Sequence, residues 1–167
     1  MAADLRGPDP RPVPAGPRGL RGEPVSPEYP GRPVPAAAGV VFRGDDVLLV
    51  KRGGPPHQGR WSIPGGSIEE GETAGAAVRR EALEETGVRV RPGRVLLVHD
   101  LIERDHEGRV RFHYAIVDIL CEYEAGEAIP GSDAVNARWV PVRELHEYDV
   151  SEGALRAIAA GLEERTP

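Results

Sequence analysis

Residues 65–88 read GGSIEEGETAGAAVRREALEETGV, with glycines near both ends and charged side chains crowded at both ends as well. From Thr73 to Thr86 the chain contains no proline and only one glycine, and Gly87 stands where a C-terminal cap is expected. This pattern predicts a helix over Thr73–Thr86. Its glutamates fit either a solvated surface or a metal site, and the choice between the two decides what the protein does.

The acidic residues at the end of this helix favour the metal site. Glu81, Glu84 and Glu85 occupy positions i, i+3 and i+4, so at about 100° per residue their carboxylates converge on one small volume. Like charges at this spacing destabilise a bare helix, and the helix dipole also disfavours them near the C-terminus. The repeated unfavourable choice indicates a compensating cation. Oxygen ligands without a nearby histidine or cysteine suit Mg²⁺ or Mn²⁺ better than Zn²⁺.

Composition and charge limit the other classes of function. The chain has 167 residues and a net charge of −6, with 40% hydrophobic residues, as expected for one globular domain. It lacks both an apolar run long enough to span a membrane and a secretory signal, so the cytoplasm is the expected compartment. An acidic domain is a poor partner for duplex nucleic acid, whose phosphates need basic residues. Cys121 lies within an apolar run, which predicts a buried, unreactive thiol.

The first 35 residues differ from the rest, because they hold ten of the 17 prolines. This density predicts an extended, largely disordered arm over residues 1–35 and a folded domain over residues 36–167. The x-P-x-P spacing of the arm could engage a proline-reading module, and a tail without a function of its own is the alternative.

The domain alternates strand patterns with loops around the helix. We predict strands in AAAGVVFR and DVLLVKR, a short extended piece at Trp61–Ile63 with a stop at Pro64–Gly66, one or two strands in VRVRPGRVLLVHDLIE, a central strand buried on both sides in RVRFHYAIVDILCEYE, and a last strand in ARWVPV. SEGALRAIAAGLEE predicts an amphipathic helix with Ser151 as N-cap and an apolar stripe of Leu155, Ile158, Ala159 and Leu162. The order of elements predicts a mixed sheet covered on both faces.

Residues 66–88 resemble the Nudix box, the sequence motif of the Nudix hydrolases, and reproduce its spacing without a gap. Five residues separate Gly66 from Glu72, seven more precede Arg80, and Ala82 and Val88 fill the two apolar positions. The fixed identities of the box are Gly66, Glu72, Arg80, Glu81, Glu84, Glu85 and Gly87. The resemblance extends from about Pro35 to Glu164 and implies an α/β fold, a Nudix-like α/β/α sandwich with a mixed β-sheet.

The resemblance also implies a reaction and roles for matching residues. Nudix hydrolases use water and Mg²⁺ or Mn²⁺ to cleave a nucleoside diphosphate linked to another group. Glu84 and Glu85 would be the main metal ligands, with Glu81 a ligand or a base, and the Gly65 carbonyl would complete the shell. Arg80 would orient the neighbouring carboxylates together with Glu72.

Further candidates lie outside the box or at its edge. Asp133 is the first choice for an additional acidic ligand or base, Glu124 and Glu127 compete with it, and stabilisation of a turn is the alternative role for Asp133. The candidate substrate-binding residues are Arg52, His57 and Gly66, although an exposed arginine at a strand end needs no role. We interpret His113 as a satisfied core histidine and Trp61 and Trp139 as packing residues, of which Trp61 could also line a pocket.

The substrate is less well defined than the reaction. The segments HYAIVDILCEY and SDAVNARWVPVREL resemble the ADP-ribose pyrophosphatase branch, which implies ADP-ribose as substrate and AMP and ribose 5-phosphate as products. Arg104 stands where some ADP-sugar enzymes carry a marker proline, which argues against this branch. The alternatives are hydrolysis of (deoxy)nucleoside triphosphates or NADH, and a non-catalytic Nudix domain that binds a nucleotide or another protein. Members that hydrolyse ADP-ribose are often dimers, so a homodimer is a family expectation.

Overall fold

Residues 26–131 and 134–165 are described by a computed structural model, in which a seven-stranded sheet carries one helix on each face. The elements in chain order are β1 (Val34–Arg43), β2 (Asp46–Arg52), β3 (Trp61–Ser62), β4 (Gly65–Ser67), α1 (Ala74–Thr86), β5 (Arg89–Arg104), β6 (Val110–Ala125), β7 (Ala134–Pro141), a 3-10 helix (Val142–Glu147) and α2 (Glu152–Arg165). The predicted α/β class with a mixed sheet is confirmed.

The sheet is mixed because β1 pairs in both directions. The main path runs β3-β2-β1-β6-β5, with β1 parallel to β6 and the other neighbours antiparallel. The beginning of β1 also pairs with β4, its end pairs with β2, and β7 lies against β2. Ala38 in β1 therefore has Gly65 of β4 on one side and Asp118 of β6 on the other. This register brings the glycine strand close to the centre of β6.

Each helix buries an apolar stripe against its face of the sheet. Ala77, Val78 and Ala82 of α1 pack in one core cluster with Val41, Leu48, Ile119 and Cys121. Ala154, Ala157 and Ile158 of α2 pack in a second cluster with Val40, Leu49 and Val140. The predicted coverage of both faces is thus confirmed, and so is the burial of Cys121. Burial raises the pKa of this thiol to about 12.

Local signals set both ends of α1. The Thr73 hydroxyl oxygen accepts a hydrogen bond from the Ala76 N–H at 3.1 Å, which satisfies a donor that the first turn leaves free. Gly87 has φ +71°, and its N–H donates to the Leu83 carbonyl. The left-handed conformation favours glycine at this position. The predicted helix and its C-terminal cap are confirmed.

The buried stripe of α2 differs from the predicted one. Ala154, Ala157, Ile158 and Gly161 are buried, whereas Leu155 is 42% exposed and Ala159 is exposed too. The prediction was right for Ile158 and wrong for Leu155 and Ala159. Small residues bring the helix close to the sheet, since a Cβ at position 161 would lie only 3.1 Å from Phe42 and Val40. The helix follows Ser151 directly, whose carbonyl accepts the Leu155 N–H.

The glycines after Pro64 form a strand instead of the predicted stop. Gly65–Ser67 pairs with β1 because glycine permits an unusually close approach there. A Cβ at position 65 would lie 2.6 Å from the Ala37 carbonyl oxygen and from the Ala38 Cβ. Contacts under about 3 Å are not possible without movement of the backbone, so this pairing depends on the missing side chain.

Both faces of β6 are packed as predicted for a central strand, except where Tyr114 and Ile116 border a cavity. The strand does lie between β1 and β5. Ile119 and Cys121 are buried against α1, but Tyr114 and Ile116 on the other face are only partly buried and line a cavity. One face of the strand therefore packs in the core beneath α1, and the other face divides between the core beneath α2, at Leu120, and the cavity wall.

The contacts of the domain begin before the predicted boundary near Pro35. Val34 and Pro35 belong to β1, where a proline near the start of a strand is tolerated. The Tyr29 N–H donates to the Arg111 carbonyl at 2.7 Å. Most of the predicted arm, residues 1–25, lies outside the described residues. Within the ranges 26–131 and 134–165, the helices are too short or too polar to cross a membrane.

Candidate active site

A cavity of about 870 Å³ gathers residues from most of the fold. Its walls come from β1, β4, β5 and β6, from the loop after β2, and from the first turn of α2. Glu81 and Glu85 reach it from α1. Ligand sites of proteins typically have volumes of about 300–1,000 Å³, so the cavity has the size of a small-molecule site.

The backbone of β4 lies directly against the carboxylates of α1. The Gly65 N–H donates to Glu85 Oε2 at 3.3 Å. A Cβ at position 66 would lie only 2.4 Å from Glu81 Oε1. A side chain at position 66 would therefore displace the Glu81 carboxylate. The sequence placed Gly65, Gly66, Glu81 and Glu85 in one site, and the structure brings all four together.

Arg80 connects the remaining acidic residues of the box. Its Nε and Nη2 donate to the two carboxylate oxygens of Glu72 at 2.8 and 2.9 Å. Its Nη1 donates to Glu81 at 2.7 Å and to Glu84 at 3.3 Å. A fifth hydrogen bond, from Nη2 to the Ser67 carbonyl at 3.1 Å, connects α1 to β4. The planar fork of arginine suits such a shared site, which a lysine could not reproduce.

These contacts give the two partly buried carboxylates different acidities. The hydrogen bonds from Arg80 lower the pKa of Glu72 to about 2. Burial raises the pKa of Glu81, and the ion pair with Arg80 offsets this only in part. Burial of a carboxyl always favours its neutral form, whereas a guanidinium partner favours the anion.

The donor chemistry of this site fits a hard divalent cation. Glu81 and Glu85 line the cavity beside the Gly65 backbone, so oxygen atoms are the available ligands. Among residues 26–131 and 134–165, no three or more His, Cys, Asp or Glu side chains already stand close enough to share one metal ion. Arg80 holds Glu81 and Glu84, so a shared ion would require their carboxylates to turn towards it.

Basic residues at the end of β2 and in the loop that follows it form another wall of the cavity. The predicted substrate-binding residues Arg52 and His57 both line it. Arg52 Nε donates to the Pro56 carbonyl at 2.7 Å, which fixes the orientation of the guanidinium. Burial, together with the positive charges of Arg60 and Arg52, lowers the pKa of His57. Lys51 and Arg60 also line the cavity and were not predicted, although they flank the same loop.

The other candidates lie elsewhere. Asp133 falls outside the described residues, so its role stays a prediction. Glu124 and Glu127 are exposed and do not line the cavity, and Glu127 instead accepts two hydrogen bonds from Arg43 at 3.0 Å. Neither position supports the competing role outside the box.

Trp61, Trp139 and His113 each lie against a neighbouring side chain. Trp61 packs edge-to-face on Tyr148 at 5.4 Å and does not line the cavity. Trp139 packs edge-to-face on Tyr123 at 5.5 Å. His113 Nε2 lies 3.6 Å from Asp100 Oδ1, and the imidazole is partly exposed rather than in the core.

Sequence reasoning missed two cavity residues on β5 and β6. Asp118 is 1% exposed, and its Oδ2 lies 3.0 Å from His99 Nδ1. Burial raises the pKa of Asp118 to about 7. The sequence contained a signal for Asp118, because an aspartate in the middle of an apolar strand pattern is rarely buried unless it is paired.

Comparison with known proteins finds relatives of this domain. A model of the NUDIX domain matches residues 32–160. An ADP-ribose pyrophosphatase of Methanocaldococcus jannaschii is 34% identical over 113 residues, which cover 68% of this chain and 64% of that protein. A Mycobacterium tuberculosis protein provisionally named 8-oxo-dGTP diphosphatase 2 is 36% identical over 115 residues, 67% of this chain and 76% of its own.

A solved structure extends the likeness to the fold. The crystal structure of an ADP-ribose pyrophosphatase from Streptococcus suis has a TM-score of 0.60 and 27% identity, and covers 81% of this chain and 94% of its own. This chain spans less than two thirds of the length of the archaeal relative, at 64%. The family model nevertheless matches well over half of the chain. The protein therefore belongs to the Nudix hydrolase family.

Proposed function

We propose that this Nudix hydrolase cleaves the pyrophosphate bond of a nucleoside diphosphate linked to another group, with ADP-ribose as the preferred substrate and AMP and ribose 5-phosphate as products. The observation that carries the proposal is the position of Glu81 and Glu85 in the cavity, against the glycine backbone of β4. Two carboxylates that lie directly against a glycine backbone form an acidic site beside which a pyrophosphate could lie.

Such a site needs positive charge to hold the substrate. A bound Mg²⁺ or Mn²⁺ would neutralise pyrophosphate charge and activate water, and Glu81, Glu84, Glu85 and the Gly65 carbonyl are the residues that would hold it. Lys51, Arg52 and Arg60 line the cavity and would bind phosphate oxygens. Arg80 would position the carboxylates through its contacts with Glu72, Glu81 and Glu84.

Two relatives support the choice of substrate. The archaeal and the streptococcal proteins are both named ADP-ribose pyrophosphatases. The mycobacterial relative favours a second candidate, hydrolysis of an oxidised deoxynucleoside triphosphate. NADH and a purely nucleotide-binding domain are weaker alternatives, and the complete set of box carboxylates argues against the latter. A cytoplasmic location and a homodimer stay predictions.

A substrate panel with matched variants tests the proposal. The purified protein is incubated with Mg²⁺ and ADP-ribose, NADH, 8-oxo-dGTP or unmodified deoxynucleoside triphosphates, and initial rates are compared. We expect ADP-ribose to react fastest and Glu85→Gln to lower its turnover by about 10²-fold or more. Glu124→Gln, an exposed glutamate away from the cavity, is the control and should keep full activity.

Two results would contradict different parts of this proposal. If ADP-ribose is hydrolysed no faster than the other compounds, the substrate is wrong and the reaction class stands. If neither Glu84→Gln nor Glu85→Gln changes hydrolysis, the assignment of the box carboxylates is wrong.

A further inference from the structure

A buried acid to which no role was predicted lines the cavity. Asp118 is almost completely buried, yet it lines the cavity. In the described part of the chain, neither Asp118 Oδ2 nor the adjacent His99 Nδ1 has a hydrogen-bond partner. The two atoms lie 3.0 Å apart, but without the angles of a hydrogen bond. Buried polar atoms in folded proteins are nearly always hydrogen-bonded, so this pair has unused capacity for a ligand.

The register of the sheet sets the distance between this pair and the box. Asp118 and Gly65 pair with the same residue, Ala38, from opposite sides. Two strand spacings of about 4.8 Å put their Cα atoms about 10 Å apart. The acid and the box therefore stand at two places in one cavity, separated by a distance comparable to the reach from a phosphate across a ribose to a base.

The first turn of α2 holds the imidazole of His99 in place. A Cβ at Gly153 would lie 2.6 Å from His99 Nε2, so the helix backbone sits directly on the ring. The side chain is only 13% exposed. His99 is also fixed through β5, where it pairs with Ile116 of β6, diagonally next to Asp118. A histidine held on two sides can present a ring nitrogen in a constant direction.

Apolar side chains continue the same wall. Tyr114 and Ile116 precede Asp118 at alternate positions of β6, and all three line the cavity. Alternate residues of a strand share one face, so a flat ring lying along this face would contact Tyr114 and Ile116 and meet Asp118 at its edge. Aromatic or apolar contact with a face and hydrogen bonds to an edge are the means by which proteins recognise nucleobases.

We propose that Asp118 and His99 form the nucleobase subsite of this enzyme and select a purine that carries an amino group at C6. A carboxylate oxygen of Asp118 accepts a hydrogen bond from the amino group, and a ring nitrogen of His99 binds next to it. A 6-oxo purine offers an acceptor at the same place, which the carboxylate oxygen repels. The inference rests on the proposed function, since it names the base of the substrate bound at that site.

Binding of the product to the wild-type protein is the first test, because it needs no hydrolysis. AMP, IMP and ribose 5-phosphate are titrated separately at about pH 8.5, where the Asp118 carboxyl is ionised, while the ring-nitrogen signals of His99 are followed by NMR. We expect AMP to shift the His99 signals and to bind about tenfold or more tightly than IMP, and ribose 5-phosphate to leave these signals unchanged. AMP that binds without moving the His99 signals, or IMP that binds equally well, would overturn the inference.

Two variants separate specificity from general damage. Asp118→Asn can donate as well as accept, so it should reduce the preference for AMP over IMP about tenfold, and Gly153→Ala should do so by displacing His99. Glu124→Gln should keep the wild-type preference. If Asp118→Asn does not fold, Gly153→Ala and the wild-type titration decide. An unchanged preference in a folded variant overturns the inference.

The proposed function and this inference can fail separately. Hydrolysis of ADP-ribose with no His99 shift on AMP binding refutes only the subsite. A His99 shift and an AMP preference in a protein that hydrolyses none of the panel refute only the proposed reaction.

Discussion

The carboxylate of Glu81 lies against a glycine with no space between them. A Cβ at position 66 would be 2.4 Å from Glu81 Oε1, so any side chain there displaces the carboxylate. We expect Gly66→Ala to lower kcat/KM for ADP-ribose at least about tenfold, because the substrate meets a misplaced carboxylate. Gly75→Ala is the matched control: its Cβ meets only Pro92 at 3.4 Å, and alanine favours the helix.

Initial rates and urea unfolding distinguish the two variants. Gly75→Ala should keep its activity and gain up to about 1 kcal/mol in the free energy of unfolding. Full activity of Gly66→Ala would show that the position of Glu81 is unimportant for the reaction.

Asp118 predicts an unusual dependence of stability on pH. Its pKa rises from 3.8 to about 7 on folding because the carboxyl is buried, so the native state holds a proton that the unfolded chain releases between these values. The charged groups facing it are His99 on β5 and Arg156 on α2, and Arg156 lowers the pKa. This contribution to stability is therefore complete below about pH 4 and is lost as the pH rises towards 7.

The prediction compares wild type with Asp118→Asn, which cannot titrate. From pH 5 to pH 8, the free energy of unfolding of the wild type should fall by about 2–3 kcal/mol relative to the variant. Urea unfolding at the two pH values measures the difference. A constant difference would mean that Asp118 has the same pKa in the folded and unfolded states.

At the scale of elements, α2 offers a direct comparison of buried and exposed side chains. Ile158 is 1% exposed and packs in the core cluster of α2, whereas Leu155 on the same helix is 42% exposed. Ile158→Ala should cost about 2–5 kcal/mol through lost burial and a cavity. Leu155→Ala should cost less than about 1 kcal/mol. Equal costs, measured by denaturant unfolding, would mean that the helix packs with the predicted stripe instead.

The elements that sequence reasoning could predict are those with local causes. Thr73 and Gly87 cap α1 through hydrogen bonds within a turn, so their residue types alone indicate the ends of the helix. The spacing of Glu81 and Glu85 places both on one helical face for the same reason. These features depend on residues three or four positions apart and need no knowledge of the sheet.

The features that were missed depend on distant partners. Gly65–Ser67 forms a strand only because β1 offers a row of alanines beneath it, while glycines by themselves indicate a turn. His99 and Asp118 meet through the pairing of β5 with β6, which has several irregularities in its register. Bulges change the face that a side chain occupies, so the pattern of residues in each strand could not indicate this contact.

For the whole molecule, the sheet joins the box to the rest of the cavity. The chain carries a net charge of −6, yet Lys51, Arg52 and Arg60 stand beside Glu81 and Glu85 in the cavity. These three basic side chains suit phosphate oxygens, although acidic side chains line the same cavity and the molecule as a whole is acidic. We infer that the basic side chains inside the cavity, and not the net charge of the molecule, hold the substrate phosphates.

Contacts between residues 28–29 and the β5–β6 hairpin lie ahead of β1 in the chain. Glu28 pairs with Arg111 at 2.8 Å, and the Tyr29 hydroxyl donates to Asp105 at 2.9 Å. The Arg109 guanidinium lies over the Tyr29 ring, 5.3 Å from its centroid. Each contact is exposed to solvent, so each adds only modestly to stability. Together they hold the segment before β1 against the hairpin.

Two deletions test whether these contacts stabilise the domain. Removing residues 1–25 should leave the free energy of unfolding within about 0.5 kcal/mol of the full chain and kcat/KM unchanged, because the contacts of Glu28 and Tyr29 remain. Removing residues 1–32 deletes those contacts and should cost about 1–3 kcal/mol. Tyr29→Phe is the matched point variant, which loses only the hydrogen bond to Asp105. If both deletions are equally stable, the contacts with the hairpin contribute nothing, and the domain begins with β1 alone; if the shorter deletion already destabilises the protein, residues 1–25 are part of the folded domain.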